Sequence, residues 1–192
     1  PPDSNTDWTD WITAVVSRYG TRIQYYQGWN EPNLTKYYGG AAATSTRLAT
    51  LQRLLYQTVK GLQPSLQVLS PCFTSVFSGI AGLNAYLPAS DGASGTGKDW
   101  FDIIAYNFYC NDNSRRLDGL GRMWSGVQAA MATAGISKPV WTTETGLITP
   151  SIKTYSDSDK ALLVRAYMLS LAVYGVDRVI YYGYDDGLIG FD

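Results

Sequence analysis

Residues 22–32 read RIQYYQGWNEP. Ile23, Tyr25, Tyr26 and Trp29 in so short a run predict a strand over 22–29. That strand runs into Asn30-Glu31-Pro32, which sets a carboxylate at its carboxyl end. Upstream, residues 7–19 (DWTDWITAVVSRY) place Trp8, Trp11, Ile12, Val15 and Val16 on one side of an amphipathic helix that Gly20 ends. Downstream, residues 44–62 carry Leu48, Leu51, Leu54, Leu55 and Val59 at helical spacing, and Pro64 separates them from a short buried strand, LQVLS (66–70). A weaker helix follows at 77–87, then a Gly/Ser/Asp-rich loop at 89–99. The remainder predicts strand 101–109 (FDIIAYNFY), helix 114–134, strand 138–144 (KPVWTTE), helix 156–174 with Ser156 or Asp157 at its N-cap, and strand 176–184 (VDRVIYYGY). Strands alternate with helices throughout. The expectation is one α/β domain over residues 1–192, with about five parallel strands joined by right-handed crossovers.

Composition narrows the chemistry. The 192 residues are 45% hydrophobic and carry a net charge of −1, which supplies one sizeable core and no basic stripe for nucleic acid. No apolar run approaches the ~20 residues needed to cross a bilayer. The sequence contains no histidine, which removes Ser-His-Asp triads, Cys-His dyads and His-ligated metals together. Any acid/base work then falls to carboxylates, with no metal and no cofactor expected. Two cysteines, Cys72 and Cys110, are too few for a disulfide scaffold or a zinc site. They fall just beyond neighbouring strands, which leaves a disulfide and free thiols both open. Gly92–Lys98 nearly spells a phosphate-binding loop, but Asp99 stands where Ser or Thr should be, and the segment leads into a strand. Asp185-Asp186 reads as a solvated loop. Low Lys and Glu with abundant Tyr, Ser, Thr and Gly suggests a secreted protein.

The decisive feature is that Glu31 and Glu144 are the only glutamates in the chain. Glutamate ordinarily collects on helix surfaces, yet both stand at the carboxyl ends of predicted strands, where parallel α/β folds gather their functional groups. Two carboxylates across a pocket meet the requirement of glycosidic cleavage. One is protonated to assist the leaving oxygen, and one is ionised to attack or stabilise an oxocarbenium-like centre. Asn30 stands ready to hydrogen-bond a sugar hydroxyl.

Gly28-Trp29-Asn30-Glu31-Pro32-Asn33 resembles the Asn-Glu-Pro signature on strand 4 of the clan A glycoside hydrolases, and Trp141-Thr142-Thr143-Glu144-Thr145-Gly146 resembles their strand 7 motif. The Asp102–Tyr109 run, DIIAYNFY, is similar to strand 6 of the family 39 branch. The resemblance covers strand 4 to strand 8 of a TIM (β/α)8 barrel, so it implies a partial barrel. It also implies Glu31 as acid/base, Glu144 as nucleophile, retention of configuration, and a β-linked oligo- or polysaccharide as substrate. Tyr109 keeps the place of a tyrosine that hydrogen-bonds the nucleophile, while Asn107 stands where many members have histidine. Trp29, Asn107, Tyr109, Tyr182 and Tyr184 are candidates for sugar contacts. Five strands cannot close a barrel, and the expected open edges admit three readings. The chain is part of a longer one, a second chain or a homo-oligomer covers the edges, or the sheet is a compact open one.

Overall fold

The protein is described by a computed structural model covering residues 1–2, 4–41, 43–109, 116–146 and 156–182, with backbone only at 116 and 117. Cys110, Tyr184, Asp185 and Asp186 lie outside the described residues.

Helix α1 (Asn5–Tyr19) leads to β1 (Tyr25–Gln27), then α2 (Ser45–Leu62), β2 (Gln67–Leu69), β3 (Phe73–Thr74) and α3 (Ser78–Tyr86). A 3-10 turn, Gly97–Asp99, precedes β4 (Ile104–Asn107), α4 (Arg116–Ala134), β5 (Val140–Thr145), α5 (Asp157–Tyr174) and β6 (Arg178–Tyr181). Local chemistry sets the boundaries. Ser4, Thr44 and Ser156 cap α1, α2 and α5, each accepting a backbone N–H from the first turn. Gly175 ends α5 in the left-handed conformation at φ 92°, which a side chain would strain. The first strand begins three residues later than expected, because the Arg22 and Ile23 amides both close back on the Tyr19 carbonyl.

All ladders are parallel: β1 pairs with β2, and β3-β4-β5-β6 follow in order. The bridges Asn30↔Cys72 and Leu69↔Ile103 join the two ladders, so β2 and β3 are halves of one strand and the sheet has the five strands expected. Pro71, which has no N–H, makes the interruption. The Ser70 hydroxyl accepts the Ala105 amide (3.0 Å) where the ladder lapses. The break also changes parity. Leu69 faces the concave side before it and Cys72 after it, an odd and an even position sharing one cluster with Ile103, Ala105 and Trp141.

Every residue of β4 is buried. Ile104, Tyr106 and Phe108 pack outward against Leu120, Met123, Val127, Tyr167 and Leu171, while Ile103 and Ala105 pack inward. This two-sided burial explains the continuous apolar run in the sequence. Asp102 and Asp177 stand just before β4 and β6 and accept an amide near the start of the neighbouring strand, from Val68 and Val140 (2.8 Å each).

Among the described residues β1 and β6 each pair on one side only. A groove of about 260 Å³ runs along β1, lined by Trp8, Trp11, Tyr26 and Trp29 among others.

Gln52 lies buried in α2 and donates to the carbonyls of Leu69 (3.0 Å) and Trp100 (2.8 Å), tying the helix to the strand ends. A Cβ on Gly28 would sit 2.0 Å from the Gln52 side-chain oxygen and 3.0 Å from the Pro71 nitrogen. Gly28→Ala therefore overpacks this junction, and chemical denaturation should show a loss of about 1–3 kcal/mol. An unchanged midpoint would mean that the clamp is loose.

Candidate active site

Glu31 follows β1 in a left-handed backbone conformation, φ 46°, which costs a non-glycine residue on the order of 1–3 kcal/mol. Its amide donates to the Cys72 carbonyl (2.7 Å), and its own carbonyl accepts the Leu34 amide (3.0 Å). The conformation turns the side chain inward, and the residue is only 7% exposed.

Glu144 arrives by a different device. In β5 the even-numbered Val140 faces the outer core, while Trp141 belongs to the inner cluster. Continued alternation would aim Glu144 at the helices. Between the pairs Thr142↔Val179 and Thr145↔Tyr181, however, β5 holds one more residue than β6. This bulge re-aims Glu144 toward the concave side. Thr142 stabilises it, accepting the Phe108 amide (3.4 Å) and donating to the Glu144 carbonyl (3.0 Å). Thr145 pins the far side by donating to the Phe108 carbonyl (2.7 Å).

Strand β4 lies below both glutamates. Asn107 donates through Nδ2 to Glu31 Oε1 (3.0 Å), with a longer contact to Asn30 Oδ1 (3.4 Å). Tyr109 donates through its hydroxyl to Glu144 Oε1 (2.8 Å). Strand β4 and the residues just after it thus supply a donor to each carboxyl group. Asn33 fixes the loop after Glu31 by donating to the Thr74 carbonyl (2.9 Å) and accepting its amide (3.1 Å).

The environment raises the pKa of Glu31 above the ordinary carboxylate value. Burial is the main cause, and the negative charge of Glu144 adds to it. The Asn107 amide, the Lys36 charge and Thr74 pull in the opposite direction. Burial also raises the Tyr109 pKa, reinforced by the carboxylate that it touches, so Tyr109 remains a hydroxyl donor.

The sequence expectations meet this geometry as follows. Glu31 and Glu144 share one electrostatic site. Tyr109 hydrogen-bonds Glu144 as the resemblance implied. Asn30 is exposed beside Glu31 and open to a ligand. Trp29 is partly buried between Trp8 and Tyr38, with its indole N–H on the Tyr37 carbonyl (3.0 Å). Asn107 corrects an expectation. It is 0% exposed, and its side chain meets Glu31 and not the cleft, so it has no surface to offer a sugar. Tyr182 stands exposed, close enough to add to the rise in the Tyr109 pKa. Tyr184 lies outside the described residues. Cys72 is a free, buried thiol. Among the described residues no group of three His, Cys, Asp or Glu could hold a metal. Sequence reading missed Cys72, Thr143, Thr74 and Lys36 around Glu31. Small polar residues on the inward face of a strand were the available signal, and the strand irregularities hid which residues those were.

A family profile described as the glycosyl hydrolase catalytic core matches residues 3–186. The chain belongs to that family. No curated protein matches it. Among solved structures it is similar to a glucosidase from Croceicoccus marinus, with TM-score 0.75 and 16% identity over 94% of this chain and 39% of that one. It is also similar to a monomeric beta-xylosidase from Caulobacter crescentus CB15, with TM-score 0.70 and 19% identity over 94% and 39%. A family 26 beta-mannanase from Bacteroides ovatus gives TM-score 0.59 and 19% identity over 92% and 49%. At such identities the likeness establishes the fold, that of a partial TIM-barrel glycosidase. The chain spans about two-fifths of the first two neighbours' length.

Proposed function

We propose that the protein is a retaining glycosidase acting on β-linked oligo- or polysaccharides, with Glu144 as nucleophile and Glu31 as general acid/base. The observation that carries this reading is that the two glutamates meet at one site in different surroundings. Glu31 is buried, so that it holds its proton to higher pH, while Glu144 accepts the Tyr109 hydroxyl (2.8 Å), which orients its carboxyl group. In the first step Glu144 attacks the anomeric carbon as Glu31 protonates the departing oxygen, which leaves a glycosyl ester. In the second step Glu31 takes a proton from water as that water attacks the same carbon, and Glu144 leaves. Asn30 faces the sugar, and Tyr182 offers an exposed aromatic face.

Hydrolysis of aryl β-glycosides, with the product anomer followed by NMR, tests this reading. Retention supports it. Inversion overturns it, as does sugar binding without turnover, which would make the chain a carbohydrate-binding relative of such enzymes. Tyr109→Phe removes one hydrogen bond to a charged group and should lower kcat by about 10- to 100-fold; an unchanged kcat would exclude Tyr109 from orienting Glu144.

The pH profile has a defined sign. The first step needs Glu31 protonated, so activity falls as pH rises through its pKa. Lys36 draws that pKa down. Lys36→Met should therefore move the alkaline limb to higher pH, by less as salt screens the exposed charge. A shift to lower pH would contradict the assignment of Glu31 as the acid.

A further inference from the structure

We infer that Cys72 and Thr143 are positioning residues that set the protonation of Glu31 by locking the side-chain amide of Asn107. This rests on the proposal that Glu31 is the acid/base group. The lock is read from the direction of each hydrogen bond. The Cys72 thiol donates to Asn107 Oδ1 (2.9 Å), and the Thr143 hydroxyl is placed to donate to the same oxygen (3.4 Å), with Cys72 Sγ 3.5 Å away. The thiol is thus the principal donor to Oδ1, and the single proton of the Thr143 hydroxyl is shared between Oδ1 and the sulfur, which leaves Nδ2 to face Glu31 Oε1 (3.0 Å). A turned amide would press its oxygen against the carboxylate and offer N–H groups to the two donors. Asn30 cannot hold the orientation alone, because it is exposed and its own amide can turn.

The thiol suits this task. Cys72 is fully buried in the inner cluster with Leu69, Ile103, Ala105 and Trp141. Burial pushes its pKa up, so it stays protonated and remains a donor. The backbone of Asn107 is fixed as well, since Thr74 Oγ1 donates to its carbonyl (3.1 Å).

The consequence falls on Glu31. An amide N–H favours the ionised carboxylate, whereas an amide oxygen can only accept a proton from the neutral acid. The direction of the Asn107 amide therefore decides whether this contact opposes or reinforces the effect of burial. The other groups that face Glu31 are Glu144 on β5, Lys36 in the loop after β1, Tyr109 two residues beyond β4, and Thr74 on β3. None of them is altered by changing Cys72 or Thr143.

The presence of only two glutamates allows a direct test. Protein labelled with 13C at the glutamate side-chain carboxyl carbon gives two titrating resonances, and Glu144→Gln assigns them. With both donors removed, in Cys72→Ala/Thr143→Val, the Glu31 midpoint should rise by about one pH unit, the scale of one hydrogen bond to a charged group. The milder Cys72→Ala should move it the same way by less, and Cys72→Ser, which keeps a donor, should titrate as wild type. Equal Glu31 midpoints in wild type, Cys72→Ala and the double variant would overturn the proposal. So would a Cys72→Ser midpoint raised as far as that of Cys72→Ala. The titration does not depend on turnover. A shifted midpoint in a protein that cleaves no glycoside would leave the lock standing and remove the acid/base reading instead.

Discussion

Replacing Glu144 with alanine is expected to lower kcat/KM toward an aryl β-glycoside by on the order of 10⁴-fold or more, the scale seen when a nucleophile is removed from a unit that acts together. The loss should appear in kcat, because the ester bond to Glu144 forms only along the reaction and contributes nothing to ground-state binding. The bulge in β5 presents this carboxylate to the site, and Tyr109 holds one of its oxygens. The chain's other glutamate, Glu31, already has the acid/base part in this proposal. Azide should restore turnover by entering the space left by the side chain. The product would then be the α-glycosyl azide, inverted relative to the substrate. Steady-state rates with and without azide, and the anomer formed, check this. A variant that keeps near-wild-type rate would remove Glu144 from the mechanism.

The second large effect belongs to Glu31. Glu31→Gln should lower kcat/KM by about 10²- to 10⁴-fold for a sugar or other poor leaving group, and far less for an activated phenol that departs without a proton. The variant should also lose the alkaline limb of the pH profile. A loss of equal size for good and poor leaving groups would contradict acid catalysis. Stability should move the other way. The folded pKa of Glu31 is raised above its ordinary value. A carboxyl group raised in this way binds more protons folded than unfolded, so its contribution to stability declines as pH climbs from the unfolded pKa through the folded one. Glu31→Gln should therefore melt higher than wild type at neutral pH and lose that advantage in acid, where Glu31 itself is neutral. A thermal melt series against pH reads this directly.

Much of this arrangement is legible in the sequence, for identifiable reasons. Helices α1 and α2 announce themselves by apolar spacing, and β4 by an apolar run that the sheet buries on both faces. The two glutamates stand out because they are the chain's only ones and both end strands. The path of β2 into β3 was less visible. A strand read as 66–70 continues past Pro71 to Thr74, because the Ser70 hydroxyl replaces the missing ladder contact. The parity change at Pro71 and the bulge before Thr145 are the two irregularities that build the site. Strict alternation would have sent Glu144 to the helices and turned Cys72 away from Asn107. Residue identity alone also misplaced Asn107. An asparagine where many members of the resembling family have histidine suggests a sugar contact, but its burial as a partner of Glu31 depends on Cys72, Glu31 and Thr143, which come from three other segments of the chain.

The outer sides of β1 and β6 carry no ladder among the described residues, and Trp11 beside β1 is 58% exposed. The chain has the fold of a partial barrel, and it holds both proposed catalytic groups along with β4, which runs between them.

The most direct test of the central claim is to trap the covalent intermediate. A 2-deoxy-2-fluoro-β-glycoside with an activated leaving group slows the second step, and peptide mass spectrometry then locates the sugar. The account predicts one glycosyl group esterified to Glu144, slow reactivation in buffer, and no adduct in Glu144→Gln. Turnover of the parent glycoside with the label on Glu31 or on any other residue would contradict it, as would hydrolysis that inverts the anomeric centre without a trappable ester.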